Sequence, residues 1–210
     1  MSAREEILDR IRTALKDSPV APEIPREYRA TSRLDQVSLI ELLVDRLIDY
    51  KAQVSVVDNA EVPARIAELL AGAGSYVVPA GLDTGWLTGH ELEHDGRRRQ
   101  DSAAAPLTVA ELDGIDAVVT GSAVAVAETG TIILDGSTNQ GRRAITLVPD
   151  HHICIVKTTD ITGILPEALR RIDGTRPLTM ISGPSATSDI ELERVEGVHG
   201  PRKLDVIIAR

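Results

Sequence analysis

Side chains able to do chemistry concentrate in three segments. The first runs from Thr120-Gly121-Ser122 through small apolar residues to Ala127-Glu128-Thr129-Gly130-Thr131. Small side chains let a ligand or a second backbone approach closely. A carboxylate held between a tight apolar run and a glycine turn suits a nucleophile, a base or a ligand anchor, so Glu128 is a candidate catalytic residue, with Thr129 and Gly130 beside it. The alternative is that Glu128 accepts backbone N–H bonds and fixes the turn. The second segment, Ser182-Gly183-Pro184-Ser185, continues through Thr187 to Asp189, Ile190 and Glu191. Ser182, Gly183 and Ser185 could present hydroxyl and backbone donors to an anion, with Asp189 and Glu191 as further ligand-binding candidates. It follows a predicted strand, and open α/β sheets bind ligands beyond the carboxyl ends of their strands. The alternative is a serine-rich turn that caps a helix. The third segment is Gly197-Val198-His199-Gly200-Pro201. A histidine flanked by glycines suits proton transfer near neutrality, or it braces its loop.

Other chemistries lack their signatures. There is no GK[ST] ending, dinucleotide fingerprint or HExxH. Ser185, His199 and Asp189 could form a triad on paper, but no G-x-S-x-G elbow supports one. His151 and His152 open a strand and so face opposite sides, so at most one of them could join His199, Asp189, Glu191 or Glu128 in a common metal site. Cys154 is the single cysteine, which excludes an internal disulfide and an iron–sulfur cluster held by this chain. Its apolar flanks predict a buried, inert thiol.

Composition narrows the classes further. A net charge of −9 repels a phosphate backbone on average, and one Trp, three Tyr and no Phe leave little for base stacking, so nucleic-acid binding is disfavoured. The Arg97-Arg98-Arg99 run is the local exception, read as a solvated loop or a specific anion contact. No apolar run reaches the length of a membrane span, and the N-terminus is charged, so a cytoplasmic location is expected.

The elements that must position these residues follow from periodicity. Ser2 and Glu5 have capping-box spacing before an apolar stripe of Ile7, Leu8, Ile11 and Leu15, predicting a helix over 3–16. Pro19, Pro22 and Pro25 mark an arm to residue 33, so the chain divides into an N-terminal helix and arm (1–33) and an α/β domain (34–210). A helix over 39–50 is expected, with Ser38 and Glu41 as its capping box and Val37 stapled on Leu42. Strands are expected at 54–57, 76–78, 117–120, 132–134, 144–148, 153–156, 178–181 and 204–208. Further helices are expected from Pro63 to about 72, at 109–112 and at 161–172. The strand–helix–strand unit at 54–78 calls for parallel pairing, and the turn-rich stretch 135–141 suggests a hairpin between 132–134 and 144–148. Residues 81–105 read as a loop with room for one short strand.

Taken together, Ala127-Glu128-Thr129-Gly130-Thr131, Pro149-Asp150-His151-His152, the stretch from Ser182 to Glu191, and Gly197-Val198-His199-Gly200-Pro201 resemble the lactate-utilisation (LUD) domain family, and within it the small LutC-type members. The resemblance covers most of the chain. It implies a NagB/RpiA/CoA-transferase-like three-layer α/β sandwich, with a mostly parallel sheet and an antiparallel patch. It also implies a part in oxidising L-lactate to pyruvate beside iron–sulfur partner proteins, whose clusters this chain does not hold; no cofactor is expected on the chain itself. CoA transferases of this fold class use a glutamate in a Glu-x-Gly turn as nucleophile, and Glu128-Thr129-Gly130 is similar to that pattern. Three functions follow as expectations: a lactate-oxidation component that binds a small carboxylate, a free-standing CoA-transferase-like or sugar-phosphate-binding enzyme, and a non-catalytic scaffold for the partners.

Overall fold

The computed structural model describes residues 2–16, 22–88, 95–187, 195–196 and 200–210. Six parallel strands form the main sheet: β1 (Gln53–Val57), β2 (Tyr76–Pro79), β3 (Arg98–Asp101), β4 (Ala117–Gly121), β7 (His151–Lys157) and β12 (Lys203–Ala209). Their order is β1-β12-β7-β4-β2-β3. A second, four-stranded sheet is ordered β8-β5-β6-β9, from β5 (Val124–Val126), β6 (Thr131–Leu134), β8 (Ile161–Thr162) and β9 (Thr179–Ile181). A short antiparallel pair joins β10 (Ala186–Thr187) to β11 (Val195–Glu196).

Apolar layers hold these elements together. One face of the main sheet, through Val119, Ile153, Ile155 and Ile207, packs on α3 (Val62–Leu69) and Trp86. The other face, through Cys154, Val156, Val206 and Ile208, meets α2 (Gln36–Asp49) and the inner face of the second sheet at Ala125, Ala127, Ile132 and Leu134. The second sheet's outer face, Val124, Val126 and Ile133, is covered by Ala168 of α5 (Leu165–Leu169). Helix α4 (Val109–Asp113) buries Leu112 against Val77 and Val118. The α/β architecture with an antiparallel patch is as the sequence predicts.

Several elements differ from the sequence-based expectation. Helix α2 starts earlier, because Asp35 accepts a hydrogen bond from Ser38 N and so takes the N-cap position. Val37 is largely exposed and staples nothing. β1 and β2 are parallel members of one sheet but not neighbours, since β12, β7 and β4 lie between them. The expected hairpin from 132–134 to 144–148 does not form. β6 already has β5 on one side and β9 on the other, which leaves no free edge, and residues Arg143–Thr146 form a 3-10 turn that buries Ile145. The hairpin joins β5 to β6, with residues 127–130 as its turn. The expected helix at 161–172 begins only at Leu165, because Ile161 and Thr162 pair with β5.

Helix α1 (Ala3–Ala14) has the capping box expected at Ser2: Glu5 N donates to Ser2 Oγ, and Ser2 N donates to the Glu5 carboxylate. None of its residues is buried; Ile7 is 58% and Leu15 56% exposed. Among the described residues, no helix is long and apolar enough to cross a membrane.

Candidate functional site

Glu128 sits in the β5–β6 turn. Its backbone N–H donates to Gly163 O at 3.1 Å, and its carboxylate accepts from Arg29 Nη2 at 2.5 and 2.6 Å. The pair is exposed, with the Glu128 side chain 44% accessible. Gly130 closes the turn at φ +59°, a left-handed conformation that favours glycine. A Cβ there would lie 2.7 Å from Arg46 Cβ on α2, so this glycine also permits close helix–turn contact.

The turn connects to the second predicted segment through hydroxyls. Thr129 Oγ1 lies 2.8 Å from Thr131 Oγ1, which lies 2.8 Å from Ser182 Oγ. Ser182 follows β9, a strand of the small sheet, so this turn is not at a carboxyl end of the parallel sheet, and no helix begins there among the described residues. Gly183 has φ +98° and lies against Tyr50, where a Cβ would be 2.5 Å from Tyr50 O. Ser185 N donates to Pro201 O at 2.8 Å.

Ser182, Gly183 and Ser185 line a cavity of about 310 Å³ together with Thr146, Arg143 and His152. Glu128 is not in that lining. His152 is buried on β7, with Nε2 2.8 Å from Thr120 Oγ1. Burial, helped by the nearby His151, pushes its pKa down to about 3, so the ring is neutral at physiological pH. A neutral imidazole both donates and accepts a hydrogen bond. His151 faces the opposite side, as strand alternation requires, with Nε2 2.6 Å from Asp205 Oδ2. Cys154 is a buried free thiol whose pKa burial raises to about 12, against the weaker effect of Thr120. It is the inert side chain the sequence predicts.

A second cavity, of about 700 Å³, opens at the carboxyl ends of β2 and β3. Its wall includes Asp101, Asp135, Arg142, Arg143 and Arg176. Arg142 pairs with the buried Asp101 through Nε at 2.9 Å and Nη2 at 2.7 Å, and it also donates to Leu107 O. Arg176 Nη1 lies 3.1 Å from Asp135 Oδ2. The two cavities share Arg143, Thr146 and Thr179.

His199, Asp189 and Glu191 lie outside the described residues. Among the described residues, no three His, Cys, Asp or Glu side chains converge as a metal site would need. The arginine run divides. Arg97 is tied to Asp95 and to the carbonyls of Leu70 and Ala73, while Arg98 and Arg99 belong to edge strand β3. Sequence reasoning weighed His152 only as a metal ligand beside His151 and as part of the family motif, and did not place it in the site, because a histidine inside an apolar strand carries no spacing signal. It also passed over the loop from Asp135 to Arg143, whose glycines and polar residues read only as a turn. Two adjacent arginines after a glycine were the available clue there.

An α/β domain with a parallel sheet, an appended mixed sheet and cavities at their junction defines the class. The LUD domain model matches residues 40–209, and this chain belongs to that family. It is 44% identical to the "Lactate utilization protein C" of Deinococcus radiodurans, over 98% of this chain and 95% of that protein. The protein of the same description from Shouchella clausii is 32% identical over 51% of this chain and 50% of its own length. A crystal structure of a DUF162 family protein from Deinococcus radiodurans superposes with a TM-score of 0.71 at 39% identity, covering 84% of this chain and 99% of that one.

Proposed function

We propose that this chain is a component of a cytoplasmic system that oxidises L-lactate to pyruvate, working beside iron–sulfur proteins and holding no cluster of its own. The observation that carries this is the 44% identity, over nearly the whole of both chains, to a relative described as a lactate utilization protein. The 310 Å³ cavity suits a small carboxylate: Ser182 and Ser185 supply donors, and His152 supplies a neutral ring in its wall. Lactate oxidation removes the hydroxyl proton and a hydride equivalent. Side chains cannot accept the hydride, so the acceptor is assigned to a partner. His199 is proposed as the base. Glu128, tied to Arg29 outside the cavity lining, is proposed to act on the site through the hydroxyls of Thr129, Thr131 and Ser182.

The test is lactate-dependent dye reduction by the full chain and its iron–sulfur partners, purified anaerobically. Activity that needs this chain and falls at least tenfold in Ser182→Ala is expected. Activity unchanged when the chain is omitted would overturn the proposal. The exposed apolar stripe of α1 favours a second reading, a non-catalytic scaffold. In that case Ser182→Ala retains activity and deletion of residues 2–16 abolishes it.

A further inference from the structure

The 700 Å³ cavity lies where doubly wound sheets bind ligands, beyond the carboxyl ends of adjacent parallel strands. Its size falls within the roughly 300–1,000 Å³ typical of cavities for drug-sized ligands, several times the volume of a three-carbon acid. Its roof is fixed. Gly81 N donates to Thr138 O at 3.1 Å and Gly121 N to Asn139 O at 2.9 Å, which ties the loop over residues 135–143 to the ends of β2 and β4. Inside that loop, Asp135 N donates to Gln140 Oε1 at 2.7 Å and Ser137 N to Asp135 Oδ1 at 3.0 Å.

The charges of the wall do not cancel. Two carboxylates, Asp101 and Asp135, face three guanidinium groups, and each carboxylate already has its own arginine. Arg143 is left over, with no ion-pair or hydrogen-bond partner for its side chain among the described residues. Among the described residues, the wall thus carries one more guanidinium than carboxylates, in a protein of net charge −9. Pro79, Ala80, Ala103, Leu134 and Pro177 supply apolar surface to the wall, between hydroxyl side chains such as Ser102, Thr146 and Thr179.

We infer that this cavity is a second binding site, adjoining the small-carboxylate cavity and sharing Arg143, Thr146 and Thr179 with it, for an organic anion with an apolar body and one acidic group that pairs with Arg143. A guanidinium matches a carboxylate or sulfonate bidentately, and apolar walls take up the remainder. The inference does not depend on lactate being the small substrate.

Three probes separate the contributions, each titrated calorimetrically into the full-length protein: 2-naphthoate (ring and charge), 2-naphthylmethanol (ring alone) and acetate (charge alone). Naphthoate is expected to bind at one site at least tenfold more tightly than either of the others. Arg143→Gln, a change at an exposed side chain, should reduce naphthoate to the affinity of the alcohol and leave the alcohol unchanged. Ala103→Trp, at an exposed position of the wall, should fill the cavity and abolish both, with circular dichroism confirming the fold of each variant. Failure of the wild type to bind naphthoate, or equal affinity for naphthoate and either simpler probe, overturns the inference. So does a naphthoate affinity unchanged by Arg143→Gln. Naphthoate binding that survives Ala103→Trp also overturns it, placing the ring elsewhere, such as on the apolar stripe of α1.

Discussion

At the residue scale, His152 is a titratable side chain held almost wholly away from water. Its folded pKa of about 3 lies below the ordinary 6.5, so between these values the unfolded chain binds a proton that the native state refuses. Stability therefore rises with pH across that window and is lost as pH falls from 6.5. The slope contributed is up to ~1.4 kcal/mol per pH unit. Urea unfolding at pH 7 and pH 5.5 should show about 1 kcal/mol less stability at the lower pH. His152→Gln, which keeps a polar partner for Thr120 but cannot titrate, should flatten that difference. An unchanged difference in the variant would assign it to other groups. The sequence revealed the alternation of His151 and His152 because strand geometry imposes it. It could not reveal that one ring meets a carboxylate and the other a threonine, because Asp205 and Thr120 arrive from other strands of the sheet. The same holds for Glu128: the turn was legible in Glu-Thr-Gly, whereas its partner Arg29 is 99 residues away.

At the element scale, the segment before α2 behaves as a strap. Ser32 N donates to Glu167 Oε1 at 2.7 Å, Arg170 Nη2 to Ala30 O at 2.5 Å, and Gln36 Nε2 to Thr158 O at 2.6 Å. Glu167 also accepts from Gly163 N and Ile164 N, so one carboxylate gathers three backbone donors. The bond from Ser32 is the largest effect and, with those from Gly163 and Ile164, holds its pKa below 4.5 although burial pushes it up. Its contribution is therefore present above pH 4.5 and fades as pH falls through the lower folded value. Glu167→Ala should speed tryptic cleavage at Arg26, Arg29 and Arg33 several-fold at pH 8. Arg29→Ala, which also removes one of these sites, should speed cleavage at Arg26 and Arg33 less, since an exposed ion pair contributes only ~0–1 kcal/mol. Equal rates in all three proteins would show that the strap is held by something else. Periodicity located most helices and strands, but the run at 144–148 misled, because a short apolar run fits a strand or a buried helical turn alike. The choice is made by β5 and β9, which occupy both edges of β6, and pairing at that distance leaves no local trace.

At the scale of the whole molecule, α1 stands apart from every core cluster. Deleting residues 2–16 should therefore leave urea-unfolding stability within about 0.5 kcal/mol of the full chain, as for other changes outside a core. A larger loss would mean that the helix packs on the domain in solution. The overall architecture was legible because buried parallel strands read as apolar runs separated by helical stretches. The two cavities were not, since each is assembled from three or more segments whose meeting depends on strand order.

That strand order also bears on biosynthesis. β12, at residues 203–209, lies between β1 and β7 and pairs with both. While a ribosome is still short of that segment, the nascent chain carries two apolar strands with their central neighbour missing. Loops of some 50 and 150 residues separate β12 from these two partners, and closing them makes the final step slow. Until then the exposed edges are templates for wrong pairing. The gap between β1 and β7 therefore stays open until residues 203–209 are free to fill it.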